Sequence, residues 1–208
     1  TQLAGLSALN SYFQLFENSF TGSLPSQLAG LSALTSGFEL NENSFTGTIP
    51  TELGGMTALE YGFLLFSNLL TGGVPSQFGR LTKIARQFYL QENALSKTLP
   101  TQLGQLTGLS QFIIQSNSVT GSLPTQIGRM GPMEQLILDD NSLDSALPSS
   151  FCNLTDLMIF SASNNRLSGR LPACMVFPDM EVFNVASNRF NGTLPSVLGW
   201  GQLSYLLL

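Results

Sequence analysis

The sequence predicts an α/β solenoid, a right-handed superhelix with a parallel concave β-sheet and short helical turns on its convex side. Three observations carry that expectation. A unit typified by Phe38-Glu-Leu-Asn-Glu-Asn-Ser-Phe-Thr-Gly-Thr-Ile-Pro50 recurs from Phe13 to Pro25, Phe63 to Pro75, Phe88 to Pro100 and Phe112 to Pro124. It continues with substitutions from Leu136 to Pro148, Phe160 to Pro172 and Phe183 to Pro195. In every unit an asparagine stands seven residues before proline: Asn18, Asn43, Asn68, Asn93, Asn117, Asn141, Asn165 and Asn188. Those asparagines follow one another at intervals of 23 to 25 residues, the period of a stacked array.

Each part of the unit has its own reason. Phe38 and Leu40 alternate with other residue types, the period of a short strand with one buried face. One strand cannot bury that face alone, so copies stack into a parallel sheet. The asparagine stands where the chain leaves the strand. Its amide can satisfy backbone groups that the sheet no longer pairs, and the stacked copies predict a ladder. Gly22, Gly47, Gly72, Gly121, Gly169 and Gly192, three residues before the prolines, permit a backbone bend there. Lys97 and Ser145 interrupt that column. Proline then opens a segment with fixed φ, and Pro124-Thr-Gln-Ile-Gly-Arg-Met reads as a helical turn on the convex side. The first four units carry one extra residue before the strand phenylalanine, which predicts a bulge or wider turn at the strand entry.

The pattern resembles the leucine-rich repeat family, and its plant-type L-x-G-x-I-P variant in particular. The match rests on Leu40, Asn43, Phe45, Gly47, Ile49 and Pro50, with Leu53, Met56 and Leu59 completing the repeat. It extends over essentially the whole chain. The resemblance implies receptor ectodomains, enzyme inhibitors, ice-binding proteins or structural modules.

The 208 residues read as a single domain of eight full repeats, with partial repeats at both ends and the caps missing. Thr1-Gln-Leu-Ala-Gly-Leu matches the middle of a unit, and Leu203-Ser-Tyr-Leu-Leu-Leu208 the start of another strand. The expectation is a fragment of a longer protein, or ends covered by neighbouring subunits. Hydrophobic residues make up 43% and charged ones 10%, with a net charge of −5, enough apolar surface for a continuous core. The Lys and Arg residues form no cluster in the sequence, which argues against nucleic acid. No apolar run is long enough to span a membrane.

Cys152 and Cys174 occupy related positions in successive units. They read either as a disulfide between rungs or as two buried thiols. Asn153-Leu-Thr155 and Asn191-Gly-Thr193 are glycosylation sequons. Together these favour a secreted or cell-surface location.

Catalysis finds little support. The chain has no histidine, which removes His-dependent triads and the commonest zinc ligands. No cofactor or metal is called for. Glu17, Glu42, Glu92 and Asp140 share one column beside the ladder, with Asp139 next to it. Such a row admits a carboxylate pair or a calcium site, but a solvated acidic edge is the expectation. The expected function is non-catalytic recognition of a protein or peptide through the concave face. Leu64, Phe66, Tyr89, Ile113 and Ile137 form its centre, rimmed by Gln87, Gln91, Gln111 and Gln115. A structural or scaffold subunit is the alternative. Hydroxyl rows at Thr21, Thr46, Thr71, Ser96 and Thr120, and at Ser26, Thr51, Ser76, Thr101 and Thr125, admit an ice-binding solenoid as a further one.

Overall fold

The structure, a computed structural model, describes residues 6–195 and 200–208; the partial unit read from Thr1 begins outside them. The odd-numbered strands are β1 (Ser11–Gln14), β3 (Ser36–Glu39), β5 (Tyr61–Leu64), β7 (Phe88–Tyr89), β9 (Gln111–Ile113), β11 (Gln135–Ile137), β13 (Ile159–Ser161), β15 (Val182–Asn184) and β17 (Tyr205–Leu207). They form one parallel sheet in sequence order. The even-numbered strands are β2 (Thr21–Ser23), β4 (Ser44–Thr48), β6 (Leu69–Gly72), β8 (Ala94–Lys97), β10 (Ser118–Gly121), β12 (Ser142–Ser145), β14 (Arg166–Gly169) and β16 (Arg189–Phe190). They make a second parallel sheet that the periodicity did not predict. Segments such as Thr46-Gly47-Thr48 carry no apolar residue, and their central glycine is disfavoured in strands. They are extended because each stacks on its equivalent in the next rung.

The expected helical turns are five-residue 3-10 turns at Ser26–Gly30, Thr51–Gly55, Ser76–Arg80, Thr101–Gln105, Thr125–Arg129 and Ser149–Asn153. Each begins after a proline in extended geometry, Pro50 for example at φ −62°. In the contracted unit after Pro172, residues 173–174 form a plain turn instead.

Between the layers runs a continuous apolar core. Phe38, Phe63 and Phe88 stack with centroids 5.4 and 4.8 Å apart, and Phe112 follows at 5.8 Å. Phe78 from a 3-10 turn meets Phe63 and Phe88 edge-on at 5.0 and 5.4 Å. The alternation in F-x-L places these rings inward, and all are fully buried.

The asparagines form a ladder between the two sheets. Asn68 Nδ2 donates to the carbonyls of Leu65, Phe66 and, one rung back, Leu40 at 3.2, 3.2 and 3.0 Å. Its Oδ1 accepts the Phe45 N–H at 3.0 Å. Asn43, Asn93, Asn117, Asn141, Asn165 and Asn188 likewise join adjacent rungs. The Asn18 side chain, on the first described rung, donates to the carbonyls of Leu15 and Phe16 of its own unit.

The bend before each proline is left-handed throughout. Gly47 has φ 75° and Gly121 74°, and Lys97 and Ser145 adopt the same conformation at 67° and 68°. A side chain in this region costs about 1–2 kcal/mol. Lys97→Gly and Ser145→Gly are therefore each expected to raise stability by about 1 kcal/mol, read as a higher urea midpoint with an unchanged slope.

The extra residue of the early units is a stacked bulge in the first three. Tyr12, Gly37 and Gly62 have φ 53°, 67° and 71°, while Phe13, Phe38 and Phe63 stay in register. In the fourth unit residues 85–87 form no strand, and β7 starts only at Phe88.

Candidate recognition face

The register fixes what lies side by side on the outward face of the first sheet. Leu64 pairs with Tyr89, Tyr89 with Ile113, and Ile113 with Ile137, while Phe63, Phe88, Phe112 and Leu136 pair on the inward face. Leu64, Tyr89, Ile113 and Ile137 are partly exposed and form one stripe across four strands. Phe66 is also partly exposed, its ring 6.4 Å from that of Tyr89. The Tyr89 hydroxyl donates to Gln111 Oε1. Burial pushes its phenol above the ordinary tyrosine range, partly offset by a hydrogen bond with Gln87, so it stays a donor at neutral pH. Gln87 is exposed, and Gln91, Gln111 and Gln115 are partly so.

The next column, two residues along each strand, runs Phe16, Asn41, Phe66, Gln91, Gln115, Asp139. Strand alternation places Asn41 on the outward face with the others in this column. It is only 5% exposed, and its Oδ1 is buried without a hydrogen-bond partner. Gln91 Oε1 shares that condition. Beyond Ile137 the face turns polar. Asp139 Oδ1 accepts from Ser161 Oγ at 2.6 Å, the Ser163 N–H at 2.7 Å and Ser163 Oγ, and Asn184 Nδ2 reaches Ser161 Oγ at 3.0 Å.

The acidic column beside the ladder has a backbone origin that sequence reasoning missed. Glu17, Glu42, Glu92 and Asp140 all sit at φ 52–55°, as do their equivalents Ser116, Asn164 and Ser187. This left-handed residue turns the chain out of the sheet just before each ladder asparagine. Among the described residues no group of three or more His, Cys, Asp or Glu side chains is arranged to hold a metal ion.

Cys152 and Cys174 are joined by a disulfide, with Cα atoms 5.8 Å apart. It ties the 3-10 turn at Ser149–Asn153 to the contracted unit. Asn153 and Asn191 are both exposed. The hydroxyl column from Thr21 to Thr120 lies on the second sheet, but that sheet is staggered. Ser23 pairs with Thr46 and Thr46 with Leu69, so equivalent threonines are offset rather than adjacent. Leu69, 57% exposed, stands in that face. The second hydroxyl row opens the 3-10 turns, where Thr51, Thr101 and Thr125 bond to the next side chain.

Residues 133–154 match the family model of the Leucine Rich Repeat. With the ladder and the stacked rungs, that decides the family. The chain is a leucine-rich repeat protein. Several solved structures superpose on nearly all of it. A TDR receptor matches at TM-score 0.90 and 30% identity, covering 99% of this chain and 35% of that one. The ectodomain of the Arabidopsis receptor kinase HAESA, bound to an IDA peptide hormone ligand, matches at TM-score 0.87 and 33% identity, covering 94% and 33%. A plant ice-binding protein matches at TM-score 0.79 and 26% identity, covering 95% and 63%. This leucine-rich repeat chain spans only 23–35% of the length of the receptor chains it matches first. No curated protein matches it significantly. Among the described residues, no helix is long and apolar enough to cross a membrane.

Proposed function

We propose that this repeat module is a non-catalytic recognition element on the extracellular side, binding a peptide or a protein segment through the outward face of its first sheet, as in a receptor ectodomain or secreted inhibitor. The observation that supports this most is the in-register stripe of Leu64, Tyr89, Ile113 and Ile137, left partly open to solvent with Phe66 beside it. Contiguous apolar side chains on a surface mark contact sites. Aromatic anchors among amides suit an extended peptide, which can hydrogen-bond to the glutamines and rest apolar groups on the stripe. The disulfide and the two exposed sequons accord with an oxidising, extracellular setting. The similarity to a peptide-bound receptor ectodomain points the same way. The ice-binding reading has less behind it, because the stagger of the second sheet breaks the threonines out of a straight row.

The test is a selection of random 12-residue peptides against the immobilised full chain. Recovered peptides are expected to lose about 2 kcal/mol or more of affinity on Tyr89→Ala or Phe66→Ala. Urea unfolding of the same variants should shift by no more than about 1 kcal/mol, as for surface changes. Peptides indifferent to both substitutions would move the site off this face.

A further inference from the structure

The fold sorts the chain's charges. On the outward face of the first sheet stand Glu39 and Asp139, and no Lys or Arg. Glu17, Glu42, Glu92 and Asp140 follow the exit edge of that sheet. Glu60, Glu134 and Glu181 immediately precede β5, β11 and β15 on the entry edge. There Glu134 and Glu181 line a hollow of ≈360 Å³ together with Asp156, Asp179 and Met158. Of the thirteen acidic residues, only Glu52 and Asp144 lie away from this sheet and its borders. The cations go elsewhere. Lys97, Arg166 and Arg189 are in the second sheet with Arg170 just after β14, and Arg80 and Arg129 end 3-10 turns. Only Lys83 and Arg86 approach the first sheet, both ahead of β7.

The two carboxylates on the face itself bracket the apolar stripe. Glu39 pairs across the sheet with Leu64, the first residue of the stripe, and Asp139 lies two residues beyond Ile137, the last. Both are held in place. Gln14 Nε2 donates to Glu39 Oε2 at 2.9 Å. Three donors converge on Asp139 Oδ1, which orients the carboxylate and leaves its second oxygen without a partner among these contacts. Four strand steps separate β3 from β11, and at ~4.8 Å per step the carboxylates lie roughly 20 Å apart. Six residues of extended chain span the same distance at ~3.3 Å each.

We infer that the ligand of this face is a basic extended peptide, with two cationic groups six residues apart that pair with Glu39 and Asp139 and apolar side chains between them on the Leu64–Ile137 stripe. This rests on the recognition role proposed above and adds the chemistry of the partner. Fixed carboxylates favour it because they need no reordering on binding, and the absence of a cation from the face leaves both unneutralised. Acidic peptides are repelled by the same field.

The experiment uses two blocked, fluorescein-labelled heptapeptides, Lys-Thr-Ile-Thr-Ile-Thr-Lys and its counterpart with Glu at both ends. Each is titrated with the full chain at about 20 mM salt, where screening is weak. The basic probe is expected to bind at least about tenfold tighter, with an advantage that shrinks at ~0.5 M salt. In the Glu39→Gln, Asp139→Asn double variant the two probes should fall within about threefold of each other. Tyr89→Ala should weaken the basic probe in either background. Equal binding of the two probes to the unmodified chain, or no binding of the basic probe at ~1 mM, overturns the charge assignment. If peptides selected on the chain still respond to Tyr89→Ala, the recognition face survives that result. Indifference of every bound peptide to Tyr89→Ala removes the face, and this inference with it.

Discussion

Phe88→Ala is expected to destabilise the fold by roughly 3–5 kcal/mol, read as a fall in the midpoint of urea unfolding. The ring has no exposed surface and sits at a junction of the core. Phe63 stacks on it at 4.8 Å, Phe112 at 5.8 Å, and Phe78 meets both Phe63 and Phe88 edge-on. Truncation removes the transfer energy of the ring and opens a cavity between rungs whose backbone spacing is held by two sheets. The site therefore cannot collapse to recover the lost contacts. Phe88→Leu fills part of that volume and should cost distinctly less. A loss below ~1 kcal/mol for the alanine variant would mean that the ring does not bridge the rungs as described.

Asn68→Asp should be almost as damaging although it changes one atom, at about 3–5 kcal/mol near neutral pH. The aspartate oxygen can still accept the Phe45 N–H. The other oxygen, however, would face the carbonyls of Leu40, Leu65 and Phe66, where asparagine donates. A buried carboxylate with no donor at that end has no compensation for its lost hydration. Asn68→Ala should cost less, about 2 kcal/mol, because the Leu40 and Leu65 carbonyls keep donors from Asn43 and Asn93, leaving chiefly the Phe45 N–H unpaired. Protonation restores a donor to the aspartate. Its folded-state pKa should thus lie above the unfolded value, and the stability deficit of Asn68→Asp should shrink as pH falls. A deficit that is the same at pH 4 and pH 7 would contradict that picture.

The repeat was legible in the sequence because each structural requirement is met by the same residue type at the same offset. Inward Phe and Leu, the ladder asparagine and the proline before each 3-10 turn recur wherever the backbone needs them. The second sheet was not legible. Its strands owe their extension to a neighbour some 23 residues away, and in Thr46-Gly47-Thr48 the glycine offsets the local preference of the threonines for extended backbone. The left-handed residue before each asparagine was hidden for another reason. Glu42, Ser67, Ser116 and Asn164 share a conformation, not a side-chain type. On the candidate face, alternation alone placed Leu64, Tyr89, Ile113 and Ile137 in one column. It could not show that Asn41 is buried there, since that depends on how neighbouring side chains on adjacent rungs pack over it. The sorting of charge was likewise invisible, because the acids are scattered in sequence and gathered only by the winding of the chain.

The central claim is that the outward face of the first sheet is the recognition surface, and a crystal structure of the chain with a selected peptide tests it most directly. The account predicts an extended peptide crossing β5, β7, β9 and β11, with side chains within about 4 Å of Leu64, Tyr89, Ile113 and Ile137. A peptide seated on the second sheet, or against the ends of the solenoid, would contradict it.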